Sequence, residues 1–249
     1  MLNLFNETVH SGVKPLELIY QSVINTEFSK PMAYRSILQI NSLDLGVLTP
    51  DQYMAVASRT NQCVELAVYN LENLCEDIVL LEKKNLTFDW LSAFIPVRML
   101  LKTDISKSLE KIMQDYGLAD CSKICFEFPV ELLYESREEV NTALKPLKEL
   151  GIHLLLRDFA DEFCPVLRLK DLIVDTVIIS GDENNFLNLK EDKSMRSIVN
   201  FIKEQGFEII VDGVENKEQL SYVYYLNCIA AVGKISGKHK RIATIIKNR

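Results

Sequence analysis

Basic charge, glycine with proline, and long hydrophobic runs are all scarce in this sequence of 249 residues. The 28 Lys and Arg residues are outnumbered by 35 Asp and Glu residues, which gives a net charge of −7. This balance excludes a general attraction to phosphate backbones, so no nucleic-acid partner is expected. Nine Gly and seven Pro residues leave no room for a low-complexity region.

Signals for export and for membrane insertion are also missing from the sequence. No apolar run reaches the roughly 18 residues that span a bilayer, so no membrane partner is expected. The first residues, MLNLFNETVHSG, have neither the basic start nor the apolar centre of a secretory signal. The six cysteines form no Cys-x-x-Cys pair, which argues against a zinc site. Free thiols without an export signal predict a cytoplasmic protein.

Short apolar runs of strand length recur along nearly the whole chain. Most are continuous rather than alternating, which is typical of strands buried on both faces. The eight candidate strands are 16–24, 33–40, 86–95, 123–128, 153–158, 175–180, 208–214 and 229–235. Amphipathic stretches of helical length separate the later ones. The pattern predicts an α/β fold, a TIM-like (β/α)8 barrel, with residues 1–249 forming a single domain.

The connection between the first two candidate strands predicts an irregularity in this barrel. Only about eight residues, from Asn25 to Met32, join them. A parallel crossover needs about a dozen residues or more, so the first strand is expected to run antiparallel to the second. Further along, Thr49, Pro50 and Gln52 predict a helix start, because Thr can cap, Pro suits the first turn, and Gln can reach back to the cap.

Several stretches, in this order and spacing, resemble the bacterial EAL domain, which hydrolyses cyclic-di-GMP. The resemblance covers about residues 16–238, and VDGVENKEQL at 211–220 is its most specific part. IYQSVI (19–24) is similar to the opening strand, and AYRSILQ (33–39) lies where the name-giving Glu-Ala-Leu motif is expected. The resemblance also implies an antiparallel first strand.

The resemblance implies a site for two divalent metal ions, held by oxygen ligands at the C-terminal ends of the barrel strands. Carried over residue by residue, the acids that remain are Glu127, Asp158, Asp212 and Glu215. The replaced positions are Arg35 for the motif Glu, Arg157 for an Asp, Ile178 for a Lys and Val232 for a Gln. The family Asn falls at Ile95 or Pro96, neither of which binds metal through its side chain.

Two of these replacements put a cation where the family has a carboxylate. At 4 Å and an effective dielectric of 20, a guanidinium repels each charge of a divalent ion by about 4 kcal/mol. We therefore expect no metal and no other cofactor. Arg35 and Arg157 are instead predicted to pair with Glu127, Asp158 and Asp212, because the guanidinium fork matches carboxylates.

Binding of the dinucleotide without hydrolysis is a separate question. Gln21 is retained and is a candidate contact to a guanine edge. Gln39 replaces the Arg that grips a phosphate, and Asp161 and Glu162 add negative charge to the loop after Asp158. The alternative interpretation, which the residues favour, is that Gln21 is a residual polar strand residue.

Three functions follow from this set of residues. The first is a catalytically inactive, regulatory EAL-like module in bacterial signalling that binds a protein partner through an exposed apolar patch. The second is a receptor that binds cyclic-di-GMP without hydrolysing it. The third is an enzyme with residual phosphodiesterase activity. A homodimer is expected by family analogy only.

Overall fold

The computed structural model describes residues 14–159, 165–179 and 193–248. These residues form nine strands and eight α-helices. The strands are β1 Leu16–Asn25, β2 Pro31–Ser42, β3 Gly46–Leu48, β4 Leu91–Phe94, β5 Ile124–Pro129, β6 His153–Phe159, β7 Thr176–Ile179, β8 Glu208–Val211 and β9 Ala230–Ala231. The helices are α1 Pro50–Ala57, α2 Gln62–Lys83, α3 Val97–Lys102, α4 Ile105–Tyr116, α5 Arg137–Glu149, α6 Lys193–Glu204, α7 Lys217–Tyr225 and α8 Ile242–Lys247.

Eight of the strands close into a barrel in the order β1-β9-β8-β7-β6-β5-β4-β2, with β1 paired back to β2. The pairs from β2–β4 through β8–β9 are parallel, whereas β1 runs antiparallel to both of its neighbours. The predicted TIM-like barrel and its antiparallel first pair are therefore confirmed. The β1–β2 register sets Gln21 opposite Arg35.

The helix predicted after Thr49 begins at Pro50. Gln52 reaches back so that its Oε1 accepts a hydrogen bond from the Thr49 backbone N at 2.9 Å. This reciprocal cap satisfies a donor that the first helical turn leaves free. It fixes where α1 starts beside β2.

Several boundaries differ from the sequence-based predictions. The third candidate strand, 86–95, was too long. The Leu86 N–H donates to the Leu81 carbonyl at the end of α2, and the strand itself covers only Leu91–Phe94. β3 was not predicted. It forms a hairpin with the outer end of β2 and lies at the end of the sheet. Before α5, which starts at Arg137, the chain forms a 3-10 helix over Val130–Tyr134.

Two layers of apolar side chains hold the barrel together. The inner layer fills the barrel and consists of Val23, Ala33, Trp90, Cys125, Leu155, Ile178, Ile210, Ala230 and Val232. The outer layer lies between the strands and the helices and includes Phe126, Phe128 and Leu71. Within the described ranges, none of the helices is both apolar enough and long enough to cross a bilayer.

A partly buried carboxylate links β1 to α2 outside the barrel. The Tyr20 hydroxyl, almost fully buried, donates a hydrogen bond to Asp77 Oδ2 at 2.6 Å. Burial raises the pKa of Asp77 to about 6, although the bond from Tyr20 opposes the shift. A carboxyl whose folded-state pKa is raised stabilises the fold at low pH, and this contribution is lost as the pH rises through about 6.

Asp77→Asn is therefore expected to stabilise the protein at pH 8, by about 1 to 3 kcal/mol, and to change little at pH 4.5. The amide still accepts from Tyr20 but carries no buried charge. Urea unfolding at both pH values measures the effect, with Asp115→Asn on the exposed face of α4 as a control. An equal gain at both pH values would contradict the assignment.

Candidate functional site

Arg35 lies at the centre of a buried ion-pair network at one end of the barrel. Its Nε and Nη2 donate to the two carboxylate oxygens of Glu127, each at 2.8 Å. Its Nη1 donates to Asp212 Oδ2 at 3.2 Å. Arg35 is 6% exposed and Glu127 is 3% exposed, so both charges are removed from water. Two parallel bonds of this kind form the strongest geometry that Arg and a carboxylate can adopt.

The network keeps its members ionised in spite of their burial. Burial by itself raises the pKa of Glu127, but the adjacent Arg35, with Arg157 and Ser92, holds it below the usual range. Burial likewise disfavours the Arg35 cation, and Glu127 with Asp212 raises the pKa of Arg35 above its usual value. At neutral pH, therefore, a fixed cation lies between two carboxylates.

Ser92 on β4 provides a further hydrogen bond to Glu127. The fully buried Ser92 hydroxyl donates to Glu127 Oε1. The parallel register sets Arg35 beside Ser92 and Phe94 beside Glu127, so three adjacent strands bring these groups together. Ser92 was not among the sequence candidates, because only the register of β4 reveals its position.

The second predicted cation, Arg157, lies at the end of β6. Its Nε is 2.7 Å from Asp158 Oδ2, and its Nη1 is 3.9 Å from Glu127 Oε2. The guanidinium also lies 5.6 Å from the centre of the Phe94 ring, which is a cation–π distance. The predicted pairing of Arg35 and Arg157 with Glu127, Asp158 and Asp212 is thus confirmed.

The fourth remaining acid, Glu215, does not join this network. It follows β8 by four residues and forms an ion pair with Lys234. Asp212, by contrast, is held at the end of β8 by a hydrogen bond from the Gly213 N–H to its Oδ1 at 2.6 Å. Glu215 thus follows the same strand as Asp212, but its ion-pair partner is Lys234 rather than Arg35 or Arg157.

The apolar replacements are all buried. Ile178 and Val232 are buried in the inner layer, packed with residues such as Leu155 and Ile210. Ile95 is fully buried, and its N–H donates to the Glu127 carbonyl at 2.9 Å. The side chains at these positions offer no oxygen or nitrogen to a ligand.

A cavity of about 730 Å³ opens above the network. Gln21 lines it, together with Arg35, Arg157, Asp158 and Asp212. Gln39 is not part of the lining; it faces Glu17 across the β1–β2 pair. Asp161 and Glu162 lie outside the described residues.

The family model of the EAL domain matches residues 7–238 of this chain. The chain belongs to the EAL family. The chain is similar to the probable cyclic di-GMP phosphodiesterase PdeA of Escherichia coli K12, with 22% identity over 247 residues, or 98% of this chain and 33% of PdeA. The uncharacterized protein Rv1354c of Mycobacterium tuberculosis is 21% identical over 88% of this chain and 35% of its own length.

Solved EAL structures share the fold at low sequence identity. The cAMP- and cyclic-di-GMP-bound form of the EAL enzyme Bd1971 has a TM-score of 0.85 at 18% identity, covering 99% of this chain and 67% of that one. The cyclic-di-GMP complex of the PaMucR phosphodiesterase has a TM-score of 0.82 at 18% identity, covering 98% of both chains. The cyclic-di-GMP-bound EAL domain of FimX from Pseudomonas aeruginosa has a TM-score of 0.77 at 15% identity, covering 96% of both chains. This EAL domain spans about a third of the length of the curated relatives named above.

The side chains of this EAL domain do not fit the metal pair that the family resemblance implies. In residues 14–159, 165–179 and 193–248, no group of three or more His, Cys, Asp or Glu side chains is arranged to hold a metal ion. Both oxygens of Glu127 already accept from Arg35, and one oxygen of Asp212 does so as well. A guanidinium is therefore positioned where a cation-binding ring needs free oxygens.

Proposed function

We propose that this EAL domain does not hydrolyse cyclic-di-GMP and acts as a regulatory module that binds a protein partner. The observation that carries the proposal is the buried Arg35 guanidinium, bonded to both oxygens of Glu127 and to Asp212. Two-metal hydrolysis needs such oxygens to hold the ions and to activate a water. The Arg35 guanidinium, a cation that belongs to the protein itself, lies among these oxygens. Its position supports the loss of two-metal hydrolysis.

Exposed apolar side chains support the protein-binding part of the proposal. Leu43, Leu45 and Val47 lie within five residues on the β2–β3 hairpin, and each is more than half exposed. Val56 on α1 is exposed as well. Apolar side chains concentrated in one surface segment are typical of interaction sites. A cytoplasmic location is part of the same proposal, supported by five described cysteines that are free thiols.

The proposal predicts no turnover of cyclic-di-GMP with Mg²⁺ or Mn²⁺, measured by chromatography of the linear dinucleotide product. Arg35→Glu restores one carboxylate and is still expected to be inactive, because Arg157, Ile178 and Val232 remain. Glu127→Gln serves as the control for a contaminating phosphodiesterase, since contaminating activity would persist in it. Turnover by the unchanged chain that disappears in Glu127→Gln would overturn the proposal.

A non-hydrolysing receptor for cyclic-di-GMP is the second candidate. The cavity of about 730 Å³ lined by Gln21, and the cyclic-di-GMP bound to EAL relatives of this fold, favour it. Calorimetry with cyclic-di-GMP separates the two candidates. A dissociation constant below about 10 μM identifies a receptor, whereas no binding at that level favours the protein-binding module. Light scattering on the same sample tests the homodimer expected by analogy.

A further inference from the structure

One side of the cavity is a cleft formed by β2, α1 and α2. We call it the α1–α2 cleft. It is lined by Ser36, Leu38, Tyr53, Met54, Leu66 and Asn70. Most of these side chains are apolar, and the Tyr53 hydroxyl is bonded to the Leu38 carbonyl at 2.8 Å, so its ring presents only an apolar face. Such walls suit an apolar side chain of a ligand.

One polar group interrupts these apolar walls. Asn70 is 4% exposed, and its Oδ1 accepts a hydrogen bond from the Ser36 hydroxyl at 3.0 Å. Within the part of the chain that the structure describes, nothing accepts a hydrogen bond from its Nδ2. The Nδ2 is not a buried donor without a partner, because the cavity that Asn70 lines leaves it accessible. It is therefore a donor that a carbonyl or similar acceptor of a ligand can use beside the ligand's apolar group.

The charges of the cavity lining select against an anion. Asp51 at the start of α1 and Glu131 after β5 are exposed, and neither has an ion-pair partner among the described residues. Arg35 and Arg157 are already paired with carboxylates, which leaves Arg98, bonded to Asn61 at 3.4 Å, as the remaining arginine of the lining. A ligand with basic groups is favoured over a dianionic one.

We propose that the α1–α2 cleft binds a peptide segment of the protein partner, with an apolar side chain against the wall formed by Leu38, Tyr53 and Leu66, which pack together. A backbone carbonyl of that segment accepts from Asn70 Nδ2, and neighbouring Lys or Arg residues face Asp51 and Glu131. Val47 on β3 and Val56 on α1 are exposed as well. This inference rests on the proposed protein-binding function and specifies the chemistry of the partner.

The test uses a phage-displayed library of random 12-residue peptides, selected on the full chain. Enriched peptides are expected to place an apolar residue next to Lys or Arg. Asn70→Leu, which keeps the side-chain size and removes the donor, is expected to weaken a selected peptide about 3- to 10-fold. The double variant Asp51→Lys, Glu131→Lys is expected to weaken it at least about tenfold at low salt, less so at high salt.

Asp115→Lys on α4 is the control for changed charge and is expected to bind as the unchanged chain does. The exposed charge variants do not disturb the core, so the test stands even where Asn70→Leu lowers stability. Two outcomes would overturn the cleft inference: selected peptides whose affinity none of the cleft variants changes, and a failure to enrich any peptide. Both would leave the proposed function standing. Binding of cyclic-di-GMP that Asn70→Leu abolishes would also overturn it, since the cleft would then be a nucleotide subsite.

Discussion

Replacing Glu127 by leucine is expected to lower the free energy of unfolding by about 3 to 5 kcal/mol. The reason is that the Arg35 cation remains buried after its main partner is removed. Arg35 is 6% exposed and would lose the two bonds of 2.8 Å that compensate its removal from water. Asp212, at 3.2 Å, is the weaker and more exposed of its partners. Arg35→Met is expected to cost a similar amount, because Glu127 then stays buried without its cation.

The double variant Arg35→Met, Glu127→Leu separates charge from packing. A buried ion pair replaced by apolar residues of similar volume is often neutral, so the double variant is expected to be much more stable than the sum of the single changes implies. Glu131→Leu, an exposed acid of the same cavity, is the control and is expected to change stability by less than about 0.5 kcal/mol. If the stability losses of Arg35→Met and Glu127→Leu simply add in the double variant, the two side chains contribute no interaction energy to the fold. Urea unfolding measures all four variants.

Gly233→Ala is expected to be the most damaging of the glycine substitutions, at about 3 to 5 kcal/mol. Gly233 has φ = 130°, and a Cβ there would lie 2.5 Å from the Val214 carbonyl oxygen and 2.6 Å from its nitrogen. Both are backbone atoms, and they are held in place by bonds to Val232 and Ile235. The loop that would have to move also carries Asp212, so the ion pair with Arg35 is expected to weaken as well.

Gly117→Ala is the matched control for backbone conformation. Gly117 ends α4 with φ = 70°, but a Cβ there meets no atom within 4 Å. Its expected cost is about 1 to 2 kcal/mol, from the left-handed conformation alone. Thermal and urea unfolding compare the two variants. Equal losses would mean that crowding against Val214 contributes nothing.

The fold was largely predictable because its signals are local. The connection expected between the first two strands, about eight residues and in the structure five (26–30), is too short for a parallel crossover, whatever the rest of the chain does. The hairpin of β2 and β3 was missed although Gly46, with φ = 73°, follows Asp44 in a turn-like sequence. Leu86 and its neighbours were assigned to a strand because an apolar run does not reveal that a helix end has captured its backbone N–H.

The site was predictable only where a family motif fixed a position. Arg35, Glu127 and Asp212 were placed together because each occupies a matched position at the end of a strand. Ser92 and Asn70 were missed, because the first depends on strand register and the second on the rotation of α2. The partner of Glu215, Lys234, was not predicted, because it comes from another loop and sequence order gives no distance between loops.

Arg35 also changes how the barrel mouth is assembled. The Arg35 guanidinium is a counter-ion that is covalently part of the chain, one per molecule. It therefore cannot dissociate on dilution or be removed by EDTA. If the proposed loss of the metal site holds, the carboxylates at the mouth are expected to reach their final arrangement during folding, without divalent ions. The same surface is then expected under metal starvation and metal excess alike.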